Sequence, residues 1–253
     1  MPSVADLERS AYATWSPDER IDIGGWTVMS NGGWTRRVNS AGAVGAPETS
    51  LAVRDAIASW LAERGSPFVV RVTPLLDPGV VDEIVASWGL EREDETLVMT
   101  ASALARADAA AVELVDPADR AFTDDLHRLT GRGPSAVDPW LRIVRRMGKR
   151  ATGLWIPGRA CGVVAIEGGL APVYSVAVDP GHRRQGLATQ IMAAAAAWSG
   201  DWGASTQFLQ VLGTSAAALA LYEGLGFEVC YRYHYLEHGG DDATDPPRSP
   251  APC

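Results

Sequence analysis

The second half of the chain is written in apolar runs punctuated by glycine and proline. Residues 151–156 and 160–167 lie on either side of Pro157-Gly158, and a third run, 170–178, follows Gly168-Gly169. Runs of this length between turn residues predict strands joined in hairpins. Then the period lengthens. Residues 187–198 read as a helix, 207–211 as a strand, 215–225 as a helix closing on Gly226-Phe227, and 229–235 as a last strand. Ahead of these, 111–114 is a short strand candidate. Asp116-Pro117-Ala118-Asp119 puts a proline and carboxylates where a helix begins, which predicts a helix over 120–129. A further helix over 139–147 follows the Gly/Pro-rich segment 131–134.

The first half repeats part of this order. A hairpin is expected from 25–29 and 35–40 through Asn31-Gly32-Gly33. An amphipathic helix is expected over 50–64, where Leu51, Val53, Ile57, Trp60 and Leu61 fall near helical spacing. A strand at 68–72, a helix at 78–88, Gly89 and a strand at 96–100 then match the order of 208–211, 216–225, Gly226 and 229–235. From strand end to glycine there are 17 residues in the first copy (Val72 to Gly89) and 15 in the second (Val211 to Gly226). Strand-helix-strand order is also common to α/β proteins in general. Either way the chain reads as α/β, with an α+β mixed sheet.

Composition narrows the function classes. A hydrophobic content of 47% in 253 residues supports one large core or two small ones. A net charge of -9 argues against a nucleic-acid partner, which needs a basic face. Residues 1–20 hold no apolar segment of signal-peptide length, and no run of about 18 apolar residues occurs, so a cytoplasmic protein without membrane contact is expected. Cys161, Cys230 and Cys253 are odd in number and dispersed, and His127, His182, His234 and His238 lack ligand spacing. Neither a disulfide framework nor a metal site is indicated. The segment 239–253, rich in Asp, Pro, Gly and Ser, is expected to be a disordered tail.

The candidate chemistry lies where strand 170–178 runs through Asp179-Pro180-Gly181-His182 into Arg183, Arg184, Gln185 and Gly186, with a helix following at once. A helix start offers backbone N–H groups without internal partners and the positive end of the helix dipole. Gly186 and Ala188 allow close approach, and Arg183 and Arg184 add charge, so the segment suits a phosphate. It lacks the Gly-Lys-Ser/Thr of a Walker loop and the first two glycines of a dinucleotide fingerprint.

The spacing Arg183-x-x-Gly186-x-Ala188 resembles the acyl-CoA pyrophosphate loop of the GNAT N-acetyltransferase superfamily. After an intervening strand, Ala218-x-x-Leu221-Tyr222 followed by Gly226-Phe227 resembles its second signature. Gly25-Trp26, Trp34-Thr35-Arg36-Arg37 and Asn39-Ser40 look like the N-terminal portion of a bacterial subgroup with a two-part layout, which extends the resemblance over nearly the whole chain. The resemblance implies a GNAT-like acyltransferase fold in two tandem domains, a degenerate one at 1–105 and a catalytic one at 106–238. The loop 41–47 of the first has glycines but no arginine and is expected to bind CoA poorly.

The resemblance also implies a reaction. An acetyl group moves from acetyl-CoA to a primary amine, on a small molecule or a protein, by direct transfer in a ternary complex. Pantetheine is expected along Val176, Ala177 and Val178, with the thioester carbonyl on a backbone N–H near Val176. The pyrophosphate is expected on Arg183, Arg184, Gln185, Gly186, Leu187, Ala188 and Thr189. Tyr222 is the expected general acid, since a phenol near pKa 10 stays protonated at neutral pH and can donate to a leaving thiolate. Ser215 stands at a helix start where many relatives carry Asn. It can cap the helix but reaches less far. For the general base, many relatives use a carboxylate on the central strands, through water if need be, which makes Glu167 the candidate; its place beside a tight turn equally suits a solvated hairpin end, and Tyr174 and His234 are alternatives. The alternating Tyr231, Tyr233 and Tyr235 either line an acceptor pocket or pack in the core. Cys161 reads as a buried small hydrophobe. The competing class is a noncatalytic acyl-CoA-binding sensor or partner subunit, against which Tyr222 speaks. Two packed halves suggest a monomer, and exchange of the last strands a homodimer.

Overall fold

Seven helices and twelve strands alternate along the residues that the computed structural model describes, 1–32, 34–93, 95–102, 109 and 111–238. In order they are α1 (Val4–Thr14), β1 (Glu19–Ile23), β2 (Trp26–Ser30), β3 (Ser40–Ala43), α2 (Leu51–Ala62), β4 (Val69–Val72), α3 (Pro78–Trp88), β5 (Leu90–Arg92) and β6 (Thr96–Ala101). The second half continues with β7 (Glu113–Val115), α4 (Arg120–Leu129), α5 (Val137–Met147), β8 (Ala151–Ile156), β9 (Ala160–Ala165) and β10 (Leu170–Val178). It ends with α6 (Leu187–Asp201), β11 (Thr206–Leu212), α7 (Ala216–Gly224) and β12 (Glu228–His238). Among the described residues no helix is long and apolar enough to cross a membrane.

The chain forms two compact units that regroup the halves 1–105 and 106–238 expected from the sequence. One unit combines Met1–Trp15 with Leu97–Cys230, and the other combines Ser16–Thr96 with the residues from Tyr231 on. Pairing and packing account for the regrouping. Trp15, at the end of α1, packs on Trp140 and Tyr174 at centroid distances of 5.7 and 4.8 Å, which ties α1 to the first unit. The residues of β12 from His234 to Glu237 pair antiparallel with Val72 to Val69 of β4 and so belong to the second. The expected boundary at 105/106 and the expected tail 239–253 lie outside the described residues.

In the first unit the strand order is β6-β11-β10-β9-β8-β7. The pairs from β10 to β7 are antiparallel and β10 with β11 is parallel. One sheet face is closed by α6 and α7, whose Leu187, Ile191, Ala195, Ala218 and Tyr222 share a core with Leu154, Val164, Val173, Val176, Leu209 and Val211. Tyr174 is out of phase with Val173 along the pleat, and its ring meets Trp15 beside Trp140. Gly162 lets α6 sit low on β9. A Cβ there would stand 2.8 Å from Ile191 Cγ2.

In the second unit the order is β1-β2-β3-β4-β12, with β5 also paired to β12. Trp26, Ile57, Leu61, Val70, Ile84, Trp88 and Leu236 form its core. The expected antiparallel pairing of 25–29 with 35–40 forms with a later second strand, since β2 pairs with β3 from Trp26↔Ala43 to Met29↔Ser40. Arg36–Val38 is a single 3-10 turn, and the strand begins only at Ser40, the last residue of the expected strand, and runs on into the segment 41–47 expected to be a loop. On its other edge β2 pairs antiparallel with β1, which the hydrophobic pattern does not reveal because its Glu19, Arg20 and Asp22 face solvent. The Asn39 side chain shapes the turn by accepting from Asn31 N at 2.7 Å and donating to the Thr35 carbonyl at 2.7 Å. Gly33, part of the expected turn, lies outside the described residues.

Candidate active site

Strands β10 and β11 part company halfway along their length. Parallel pairing runs from Leu170↔Thr206 to Val173↔Leu209 and stops there, although β10 continues to Val178 and β11 to Leu212. The register with β9 slips at the same place, because Tyr174↔Val163 is followed by Ala177↔Cys161. Ser175 and Val176 therefore oppose the single residue Gly162, a β-bulge that turns the strand. Ser175 takes φ 53, a left-handed conformation that costs a non-glycine residue roughly 1–2 kcal/mol. The outcome is a wedge between β10 and β11 with Val176 in its wall.

Past Val178 the chain is pinned before it turns. Asp179 accepts from Gly181 N at 2.9 Å, from the His182 ring at 3.1 Å and from Arg128 Nη1 at 3.0 Å. Arg128 also donates to Asp125 at 2.6 Å and to the Gly158 carbonyl at 3.0 Å. The His182 and Arg128 bonds hold the Asp179 carboxyl below the ordinary carboxylate range. Burial pushes Asp125 upward, but the bonds from Trp155 and Arg128 prevail and lower it. Arg183, Arg184, Gln185 and Gly186 follow and are exposed. Arg184 at φ 63 and Gly186 at φ 75 are both left-handed, and Gly186 stands at the N-cap of α6. No side chain caps that helix, so the first N–H groups of α6, at Leu187, Ala188 and Thr189, face the loop as donors.

Tyr222 of α7 is 4% exposed and its ring meets Phe227 edge-on at 5.8 Å. It belongs to the same buried cluster as Val176, Leu209 and Val211, the residues that flank the wedge. Ser215 precedes α7 but makes no side-chain cap bond, so the cap expected of it is not formed.

The three candidate bases have different surroundings. Glu167 pairs with Arg150 and bridges to Leu170 at the start of β10. Six residues separate Leu170 from Val176, which at about 3.3 Å per residue sets Glu167 roughly 20 Å from the bulge. That is too far for it to touch an amine there. Tyr174 is buried, with its hydroxyl 2.7 Å from Thr14 Oγ1. His234 lies on the part of β12 that belongs to the second unit, and its burial and the nearby Arg92 lower its proton affinity. Tyr233 and Tyr235 are buried in that unit, with the Arg71 guanidinium 4.0 Å over the Tyr233 ring, and so pack in a core. Cys161 is fully buried, which pushes its thiol up to about 12.

A group of residues beside the bulge carries no signal in the sequence. Arg132 Nη1 donates to Ser175 Oγ at 3.4 Å, and its backbone N–H bonds the His127 carbonyl at 2.9 Å. His127 is 5% exposed and meets the Trp140 ring edge-on at 6.2 Å. Burial first, and Arg132 next, lower its pKa to about 4, so the ring is neutral at neutral pH. Among the described residues neither of its nitrogens has a hydrogen-bond partner, nor does the buried hydroxyl of Thr123 one turn earlier. Helix α1, which brings Thr14 and Trp15 to this wall, was legible in principle. Ser3 and Asp6 form a capping box ahead of Leu7 and Ala11.

A family model described as "Probable histone acetyltransferase Rv0428c C-terminal" matches residues 3–236. The Bacillus subtilis (strain 168) protein named "Uncharacterized N-acetyltransferase YobR" is 26% identical over 246 residues, covering 93% of this chain and 98% of that one. The [ribosomal protein bS18]-alanine N-acetyltransferase of Escherichia coli (strain K12) is 36% identical over 76 residues, 29% of this chain and 51% of that enzyme. Among solved structures, a GCN5-related N-acetyltransferase from Kribbella flavida superposes with a TM-score of 0.69 at 16% identity, covering 95% of this chain and 97% of the other.

Proposed function

The chain belongs to the Rv0428c C-terminal acetyltransferase family and is a GNAT-type N-acetyltransferase, and from that premise we propose that it carries acetyl from acetyl-CoA to a primary amine by direct transfer in a ternary complex. The observation that carries this reading is the wedge that opens past Val173 and Leu209 and leads to the uncapped start of α6. A pyrophosphate suits that start, because the N–H groups of Leu187, Ala188 and Thr189 are free of a side-chain cap there and the charged Arg183 and Arg184 precede it in the loop. The left-handed Arg184 and Gly186 keep the backbone of the loop turned toward it, with Gln185 between them. Acetyl-CoA, when bound, supplies an activated acyl carbon. Val176, with Ala177 and Val178 beyond it, would line the pantetheine chain, and the Val176 N–H would polarise the thioester carbonyl. Tyr222 would hold the proton that the leaving thiolate takes. Ser215, which is not used as a cap, would contribute at most a weak contact.

The first unit is then the catalytic one, and the second, whose counterpart strand β3 leads through Ala43 and Gly45 without arginine, is the degenerate one. Glu167 has no part in this mechanism, and proton loss from the amine proceeds through water. The acceptor is an amine of a small molecule or a protein. The bS18-alanine relative, whose name gives a protein as its substrate, supports the second class over the part of the chain it matches.

Release of free thiol from acetyl-CoA with an amine panel tests the proposal. Tyr222→Phe should lower kcat about tenfold to a thousandfold while acetyl-CoA affinity stays at the wild-type value. Unchanged kcat in that variant would remove Tyr222 from the mechanism. Acetyl-CoA binding without turnover in the wild type would leave the sensor reading in its place.

A further inference from the structure

One guanidinium ties helix α4 and the turn between β8 and β9 to the strand end from which the loop 183–186 departs. Arg128, in the last turn of α4, donates from Nε and Nη2 to Asp125 Oδ1 at 3.1 and 2.6 Å, from Nη2 to the Gly158 carbonyl at 3.0 Å and from Nη1 to Asp179 Oδ2 at 3.0 Å. We propose that Arg128 is a positioning residue for the cofactor, which by holding Asp179 sets the loop that carries Arg183 and Arg184 and so governs CoA affinity through the loop. This rests on the acetyl-CoA reading above, and it adds a residue that lies outside both sequence motifs.

Three observations support the assignment. First, the guanidinium is fixed before it reaches Asp179. Asp125, its partner one turn back, is held by Trp155 Nε1 at 2.8 Å and Gly158 N at 2.7 Å, and its side chain is only 11% exposed. An exposed ion pair contributes little when two long side chains must be ordered to form it. Here Asp125 and the Gly158 carbonyl have already ordered Arg128, so the bond to Asp179 forms at small entropic cost. Second, Asp179 shapes the chain where β10 ends and the turn Pro180–His182 begins. Its Oδ1 accepts from Gly181 N and the His182 ring, its N–H donates to the Arg159 carbonyl at 2.7 Å, and its Oδ2 takes Arg128. Third, the stretch that follows is exposed from Arg183 to Gly186, and Arg184 is left-handed, a conformation its surroundings must maintain. The Asp179 network holds one end of that stretch and α6 the other.

The test titrates CoA into the full-length protein and into Arg128→Ala, Arg128→Lys, Arg183→Ala and the Arg128→Ala/Arg183→Ala pair, with the urea midpoint of each as the measure of folding. Arg128→Ala should bind CoA about tenfold more weakly than the wild type. Arg128→Lys keeps the charge but not the fork, and should fall between the two. Because Arg128 acts through the placement of Arg183, the pair should lose distinctly less affinity than the product of the two single losses. Where Arg128→Ala fails to fold, Arg128→Lys takes its place in the cycle. Wild-type affinity in the Arg128 variants, or losses that multiply in full as a merely structural role requires, overturns the proposal. Thiol release from acetyl-CoA with the amine panel is scored separately. Turnover together with CoA affinity indifferent to Arg128 overturns the positioning role and leaves acetyl transfer standing. CoA affinity that follows the cycle as expected, without turnover, overturns the acetyl-transfer reading and leaves the positioning role standing.

Discussion

His127 ties the stability of the first unit to pH. Its folded-state pKa, near 4, lies below the ordinary histidine value, because burial and Arg132 both disfavour the cation. Above pH 6.5 the ring is neutral folded and unfolded and costs nothing. Between 6.5 and 4 the unfolded chain takes up a proton that the folded one refuses, so stability falls as pH falls, by about 2 kcal/mol at pH 5. Asp125 and Asp179, held below the carboxylate range, add a further loss only at lower pH, where they protonate. Urea denaturation at pH 7 and pH 5 checks this. The wild type should lose stability over that window, and His127→Gln should lose distinctly less. Equal losses would show that the ring titrates freely in the folded state.

At the scale of elements, the seating of α6 on β9 decides whether the loop before it is well placed. Gly162 lies opposite the bulge, where an added Cβ would meet Ile191 Cγ2 at 2.8 Å and Val176 Cγ2 at 3.5 Å. Gly162→Ala should cost about 1–3 kcal/mol, read as a lower denaturation midpoint at constant m, and should weaken acetyl-CoA binding because Val176 and α6 must shift. A variant with wild-type midpoint and affinity would mean that α6 adjusts freely.

The elements around this glycine were the ones most legible in the sequence. Strands β8 and β10 and helix α4 match the segments 151–156, 170–178 and 120–129, because each is bounded by Gly, Pro or Asp. The loop motif Arg183-x-x-Gly186-x-Ala188 falls at the start of α6, as its composition suggests. Less was legible where burial and sequence period disagree. Strand β1 is polar and exposed, and β3 is small and Gly-containing, so neither carries an alternating signal. The bulge at Ser175 and Val176 leaves no composition signature at all, and Arg132 and His127 reach it only through tertiary folding. Glu167 stands beside Leu170 at the start of β10, whereas the bulge lies toward the other end of that strand.

At the scale of the whole molecule, the two compact units do not follow the halves of the sequence. Helix α1 and most of β6 join the unit with the wedge, while the end of β12 joins the other. Each unit takes a strand from the opposite half of the chain, which explains why a cut near residue 105 looks reasonable in sequence and would split both cores. Among the described residues, only those of the first unit combine a parted pair of parallel strands with an arginine-bearing helix start. The account therefore requires one acetyl-CoA site per chain.

Calorimetric titration of acetyl-CoA into the wild type and an Arg183→Ala/Arg184→Ala double variant tests this directly. The prediction is one-to-one binding in the wild type and an affinity lower by roughly a hundredfold in the variant, from the loss of charge-assisted bonds. Two sites per chain, or an affinity that the double variant retains, would contradict it.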